Sequence, residues 1–346
     1  MNDVLLEQVN PNGNVQAVVE STDQAVYFYL YGSPKIEFPM KSVWVRNLTP
    51  APEALDVGSM RQGLPPANPA PFCRHPEGLS PLRSDSLRVV WLPEGNGAAL
   101  YDDEELLSII PPWSGFEGFH GYSTECVGQG PLAWELSPEN VLVERFSDAA
   151  DYWEQWDSQE FWPTFQSARL SYLEEQFGSH SIYYAIDGGC WPPKALIRIP
   201  QKDRSIHSTI GLSLRPQPNV DSLSEHPELI RRIELGVVLP KTWSADDERA
   251  FDSYLSAQSG LPWSHFTWFG DGHTIPCGSW KNPKYTHGLV TKSHPALNEL
   301  PTDHQFGDPV NLLWFIPITE NERQTAIDKG SEHLMENLPS TRWQDA

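Results

Sequence analysis

The residues that could do chemistry crowd the last third of the chain. Five histidines, His265, His273, His287, His294 and His304, fall within a short span, and the stretch Phe269-Gly-Asp-Gly-His-Thr-Ile-Pro-Cys-Gly-Ser-Trp280 sets an acid, an imidazole and a thiol among glycines. A metal site is the first chemistry to weigh. Ligands on one helix or hairpin must share a face, which imposes close pairs such as HxH or HExxH. Here the gaps are long and irregular, so a metal-assisted hydrolase built on the late histidines stands only as an alternative that folding would have to assemble. Nucleophilic catalysis has equally little support: there is no GxSxG elbow, and Cys277 follows Pro276 with only His273 nearby in sequence as a base. Gly95-Asn-Gly97 lacks the third glycine of a dinucleotide fingerprint, and no P-loop lysine motif occurs. The acid pair Asp246-Asp247 is accounted for by the favourable dipole of a helix first turn.

The glycines of the motif have a direct conformational reading. Gly270 and Gly272 permit positive φ and a close chain reversal, and Thr274-Ile275 can begin a strand that Pro276 ends. The motif then presents Asp271 and His273 at a sheet margin.

Composition bounds the rest. A chain of 346 residues suggests about two domains. No apolar run is long enough to span a membrane, and the acidic amino terminus is unlike a signal peptide. The four cysteines (Cys73, Cys126, Cys190, Cys277) show no CxxC spacing and no disulfide framework, which favours a reducing cytoplasm. A net charge of −22 repels nucleic acid and anionic lipid and favours a basic partner. No cofactor is expected.

The elements that must hold these residues divide in two. Residues 1–138 read as a β-rich domain of unknown type: strands at 15–19, 25–31, 41–46 and 87–92, a Pro-rich stretch from 50 to 81, and a short helix over 102–110 halted by Pro111-Pro112. Residues 139–346 begin with two helices, one spanning 147–162 and one opened by Pro163 and closed by Gly178. Strands at 181–186, 195–199, 208–213 and 232–239 follow. A capping-box helix from Ser244, strands at 286–291 and 311–316, and a last helix capped by Thr319 complete the order. It predicts an α+β domain, a mixed or antiparallel sheet layered with helices.

Four stretches, taken in order, resemble one family: Ile233-Glu-Leu-Gly-Val-Val-Leu-Pro240, Trp268-Phe-Gly-Asp-Gly-His-Thr-Ile-Pro276, the 289–297 segment with His294-Pro295, and Val310-Asn-Leu-Leu-Trp-Phe-Ile-Pro-Ile-Thr-Glu320 with Lys329-Gly-Ser-Glu332. Residues 140–340 are thereby similar to the Suppressor of fused domain, and more to its bacterial branch than to the animal regulator. The animal sequence has Gly-Asp-His where this chain has Asp-Gly-His at 271–273, and no counterpart of the animal carboxy-terminal domain is expected. The resemblance implies an α/β sandwich that binds protein without catalysis. The animal member adds a transcription-factor peptide to sheet edges, and bacterial members are inferred to be immunity proteins of polymorphic toxin loci. Together these readings favour a non-enzymatic, cytoplasmic protein-binding protein acting on a basic toxin domain through Asp271, His273, Trp268 and Glu234. A two-domain scaffold or regulator is the further alternative.

Overall fold

The computed structural model describes residues 3–346, which divide into two compact units, 3–157 and 158–346.

The first unit is built on two sheets, the first an antiparallel meander and the second antiparallel except for a parallel pairing of its last two strands. β1 (Asp3–Val9), β2 (Val15–Ser21), β3 (Ala25–Gly32) and β4 (Lys41–Asn47) pair in sequence order. The Pro-rich stretch after them carries one short helix, α1 (Val57–Arg61), capped by the Asp56 side chain. The second sheet is β5 (Leu87–Trp91), β6 (Ala98–Asp102), β7 (Glu105–Ile110), β8 (Tyr122–Ser123) and β9 (Trp134–Glu135), again in order. The helix expected over 102–110 is therefore a strand. Asp103 takes φ 50° in a two-residue hairpin turn, a conformation that Asp tolerates. The Leu107, Ile109 and Ile110 side chains are more valuable buried in a sheet than the first-turn acids are on a short helix.

Helix α2 (Val141–Gln155) is capped by Asn140 and lays Leu142, Phe146 and Ala149 on Val90, Leu92, Ala99 and Ile109 of the second sheet. Trp153 fixes it further, donating from Nε1 to the Trp91 carbonyl at 2.7 Å. The division consequently falls between Asp157 and Ser158, not at 138: periodicity marks a helix and its apolar face, but not which sheet that face covers.

The second unit is a three-layer α+β sandwich. It opens with α3 (Phe161–Phe177), which Gly178 ends at φ 98°. Strands β10 (Ile182–Ala185), β11 (Ala195–Pro200), β12 (Arg204–Ile210) and β13 (Arg232–Pro240) form an antiparallel run. β14 (Thr274–Pro276), β15 (His287–Thr291), β16 (Asp303–Gln305) and β17 (Asp308–Ile318) complete a mixed eight-stranded sheet of order β10-β11-β12-β13-β17-β15-β14, with β16 also on β17. Among the described residues its sole parallel pairing is the central one, β13 with β17, and every residue of β13 is buried, as a strand covered on both faces must be. Gly236 stands opposite Trp314 in that pairing, where any Cβ would lie 2.8 Å from the indole.

Helices α4 (Ala245–Gln258), with the expected Ser244–Asp247 capping box, and α5 (Leu261–His265) cover one face. Phe251, Leu255 and Trp263 pack there on Leu235, Val237, Val290 and Phe315. On the other face α7 (Ser331–Asn337) and the residue after it bring Leu334 and Leu338 to Leu289, Ile316 and Ile318. The single last helix expected from Thr319 is two, α6 (Glu320–Lys329) and α7, because Gly330 at φ 92° breaks it. Among the described residues no helix is long and apolar enough to cross a membrane.

Candidate functional site

Gly270-Asp-Gly-His273 is a tight turn running into the edge strand. The His273 N–H donates to the Gly270 carbonyl (3.2 Å), and Gly272 sits at φ 89°, the positive value a type II turn needs at its third residue. Gly272 N–H donates to the Val290 carbonyl (2.8 Å) while Val290 N–H donates to the His273 carbonyl (2.7 Å). Two residues of one strand thus oppose one of the other, the pattern of a glycine-started β-bulge. Gly270 is needed for a different reason: a Cβ there would fall 2.4 Å from the Trp268 ring. The turn leaves Asp271 exposed at its tip, with Oδ1 accepting from the Lys292 N–H at 3.0 Å.

The turn sends its two chemical side chains into different clefts. Trp268 meets His273 edge to face, ring centroids 4.5 Å apart, and burial holds the imidazole below its usual pKa. Both line a cleft of about 470 Å³ that also takes in Leu261 of α5, Ile275 of β14 and Ile327 of α6. Helices of both outer layers therefore flank the open margin of β14, and Ile327 is 57% exposed there. Asp271 opens instead on a polar cleft of about 490 Å³ with Arg169, Lys292, His294 and Trp314. His294 is buried against Trp314, and burial, reinforced by Arg204, lowers its pKa to about 3, so the ring is neutral. Its Nδ1 accepts from the Ala296 N–H, and Arg169 is tied to Asp303.

His273, Ile275 and Cys277 turn their polar backbone groups toward β15, as the bonds from Val290 N–H to His273 and from Cys277 N–H to Thr286 show. Thr274 and Pro276 therefore face outward. Pro276 has no N–H, and its carbonyl accepts from the Tyr254 hydroxyl at 2.8 Å. The Thr274 N–H and C=O remain for an incoming chain.

Glu234 lies elsewhere. It is 0% exposed, and its carboxylate accepts from Thr209 Oγ1 (2.7 Å), the Gly211 N–H (2.9 Å), the Ser213 N–H (3.1 Å) and Ser213 Oγ (2.8 Å). In this conformation it fastens the turn after β12 and presents nothing to a partner.

The late histidines are dispersed. His265 and His304 are exposed, His287 faces Glu320 at 3.3 Å, and the described residues hold no group of three or more potential metal ligands. Cys277 is buried beside Tyr254, and burial pushes its thiol up to about 11, the opposite of an activated nucleophile. One arrangement that the sequence reading missed does have catalytic geometry. Ser205 Oγ lies 2.9 Å from His207 Nε2, and His207 Nδ1 lies 2.5 Å from Asp252 Oδ1. All three are buried, neither cleft is lined by them, and Arg198 holds the other Asp252 oxygen from Nε at 2.7 Å. A nucleophile needs room for its substrate, so this is a hydrogen-bonded core network. Only the Ser-x-His spacing on one strand face hinted at it.

The family model described as "Suppressor of fused protein (SUFU)" matches residues 191–344. That part of the chain matches the Suppressor of fused family, and it contains both clefts apart from the α3 side chains. No curated protein matches the chain. Among solved structures, "the Sufu-Fu complex crystal structure" is similar at 14% identity and a TM-score of 0.38, covering 52% of this chain and 86% of that one.

Proposed function

We propose that this protein is a non-enzymatic binding protein whose Suppressor of fused domain seats an extended segment of a partner polypeptide along β14, and that in the cytoplasm it neutralises a basic toxin domain as an immunity protein. One observation carries the reading: an edge strand with an unspent main-chain pair, Thr274, lies in a cleft walled by apolar side chains from two layers. An added strand gains backbone hydrogen bonds while its alternate side chains find pockets. Trp268 and Ile327 supply the apolar anchorage. Asp271 at the neighbouring turn, together with the net charge of −22, supplies attraction for a basic chain. The late histidines do not favour a metal-assisted hydrolase, since the fold spreads them apart.

The test is site-specific photo-crosslinking in the source cell. A photoreactive residue at Thr274 or Ile327 is expected to capture one discrete polypeptide, and capture should weaken with Trp268→Ala. A control placed at exposed Asp246 on α4 should capture none. Equal capture at all three positions sinks the edge as the binding site. Association that does not slow as salt rises removes the electrostatic part and the basic toxin with it.

A further inference from the structure

We propose that Cys73 and Cys126 are a disulfide-forming pair, joined across two strands of the first unit by exchange with a small-molecule disulfide such as oxidised glutathione. The two residues are far apart in sequence, and nothing in their spacing links them. The fold makes them partners in an isolated antiparallel bridge. The Arg74 N–H donates to the Glu125 carbonyl (2.9 Å) and the Val127 N–H to the Phe72 carbonyl (3.1 Å). Bonds on the flanking residues, and none between the two, define a non-hydrogen-bonded pair. In such pairs the Cα atoms approach to about 4.5 Å with side chains on one side of the ladder, inside the range of about 4.4–6.8 Å that a disulfide spans.

The side chains agree with the backbone. Asn47 Nδ2 donates to Cys73 Sγ (3.5 Å), and the proximity of Cys126 adds to burial in raising the Cys73 thiol. The thiols occupy separate hydrogen bonds, Cys73 Sγ to the Asn68 carbonyl (3.3 Å) and Cys126 Sγ to the Ala133 carbonyl (3.0 Å). Joining them therefore takes a rotation at the side chains and no change of register.

Burial sets the order of events. Cys126 is 0% exposed and Cys73 8%, so Cys73 is the thiol that meets the reagent. Its thiolate attacks one sulfur of the small disulfide, forming a mixed disulfide and releasing one thiolate. The Cys126 thiolate then attacks Cys73 Sγ, forming the protein disulfide and releasing the second. The two thiol protons pass through solvent to the two released thiolates, so the reagent is reduced by two electrons and the protein oxidised by two. Burial pushes the Cys73 thiol up to about 11, so the folded protein reacts slowly near neutrality and faster with rising pH. The crosslink closes a loop of roughly fifty residues, long enough for a marked restriction of the unfolded chain. It fastens the Pro-rich stretch to the turn after β8. In a reducing compartment the pair stays as two thiols.

The full chain is tested by two routes. It is refolded from denaturant in a glutathione redox pair at pH 8, and the folded, reduced protein is incubated with oxidised glutathione between pH 7 and 9.5. Non-reducing peptide mapping is expected to find the Cys73 and Cys126 peptides joined, with Cys277 free and exposed Cys190 alkylated or glutathionylated. The rate in the folded protein should rise about tenfold per pH unit. Reduction should lower the melting temperature by roughly ten degrees, a shift that Cys73→Ser and Cys126→Ala each abolish. Soluble folded protein with both thiols still alkylatable by either route overturns the pairing, as does a crosslink from either one to Cys190. These results do not depend on the edge-strand reading, which concerns the other unit.

Discussion

Replacing Glu234 by glutamine separates a residue that holds the fold from one that holds a partner. The carboxylate is wholly buried, with Oε1 taking three donors and Oε2 one. Glutamine keeps an oxygen for the first three and turns its NH2 toward Thr209 Oγ1, which can rotate to accept. The shape survives, and what goes is charge assistance: about 1.5–3 kcal/mol for a bond to a charged group falls to about 0.5–1.5 for a neutral one. Four such losses are partly offset by the easier burial of an amide. A net loss of about 2–3 kcal/mol is expected, local to β12, the turn after it and β13. Hydrogen–deuterium exchange on β13 peptides reads it directly, as exchange roughly 30- to 160-fold faster at fixed pH. Partner capture through Thr274 should persist below the unfolding range. Unchanged exchange on β13 with capture abolished would refute the assignment and return Glu234 to the binding surface.

Two further outcomes follow from the core. His294 has its folded pKa depressed to about 3 from an unfolded value near 6.5. The unfolded chain therefore binds a proton first as pH falls, and stability present above about 6.5 is lost progressively down to about 3, by about 3 kcal/mol at pH 4.5. His294→Gln removes that dependence, so urea midpoints of wild type and variant should converge between pH 7 and pH 4.5, and a constant gap would contradict it. Gly236→Ala should lower stability by about 1–3 kcal/mol, since the new methyl meets the Trp314 ring at 2.8 Å with the His207 carbonyl at 3.3 Å behind it. A thermal melt equal to wild type would show that Trp314 moves aside without penalty.

What the sequence disclosed was local. Capping boxes at Ser244 and Thr319 gave helix starts that the structure reproduces, because an N-cap is decided within four residues. Pro276 ended β14 and Gly178 ended α3 for the same kind of reason. Signals that needed a third dimension failed. Asp102-Asp-Glu-Glu reads as a helix start until the partner strand for Leu106–Ile110 is known. The apolar face of α2 is visible, but not its attachment to the first unit's sheet. Glu234 was singled out as an acid in a β run, and burial with four donors is invisible without the turn that folds back over it. Asp271 and His273 stand in one motif, yet a bulge of one residue sends them to different clefts.

The same turn limits how a partner can be held. A long edge strand offers an incoming chain a main-chain pair at every second residue, but β14 offers Thr274 alone, because Pro276 has no N–H and its carbonyl is taken by Tyr254. One such pair contributes about 1–3 kcal/mol net, which cannot hold a specific complex. A single large apolar side chain driven between Trp268, Leu261 and Ile327 contributes about 1.5–3 kcal/mol through burial alone, and charge near Asp271 governs the rate of encounter more than its strength. Recognition at this edge must then be carried by side chains, with the strand setting register. Trp268→Ala should consequently weaken binding more than a change that removes only the Thr274 N–H.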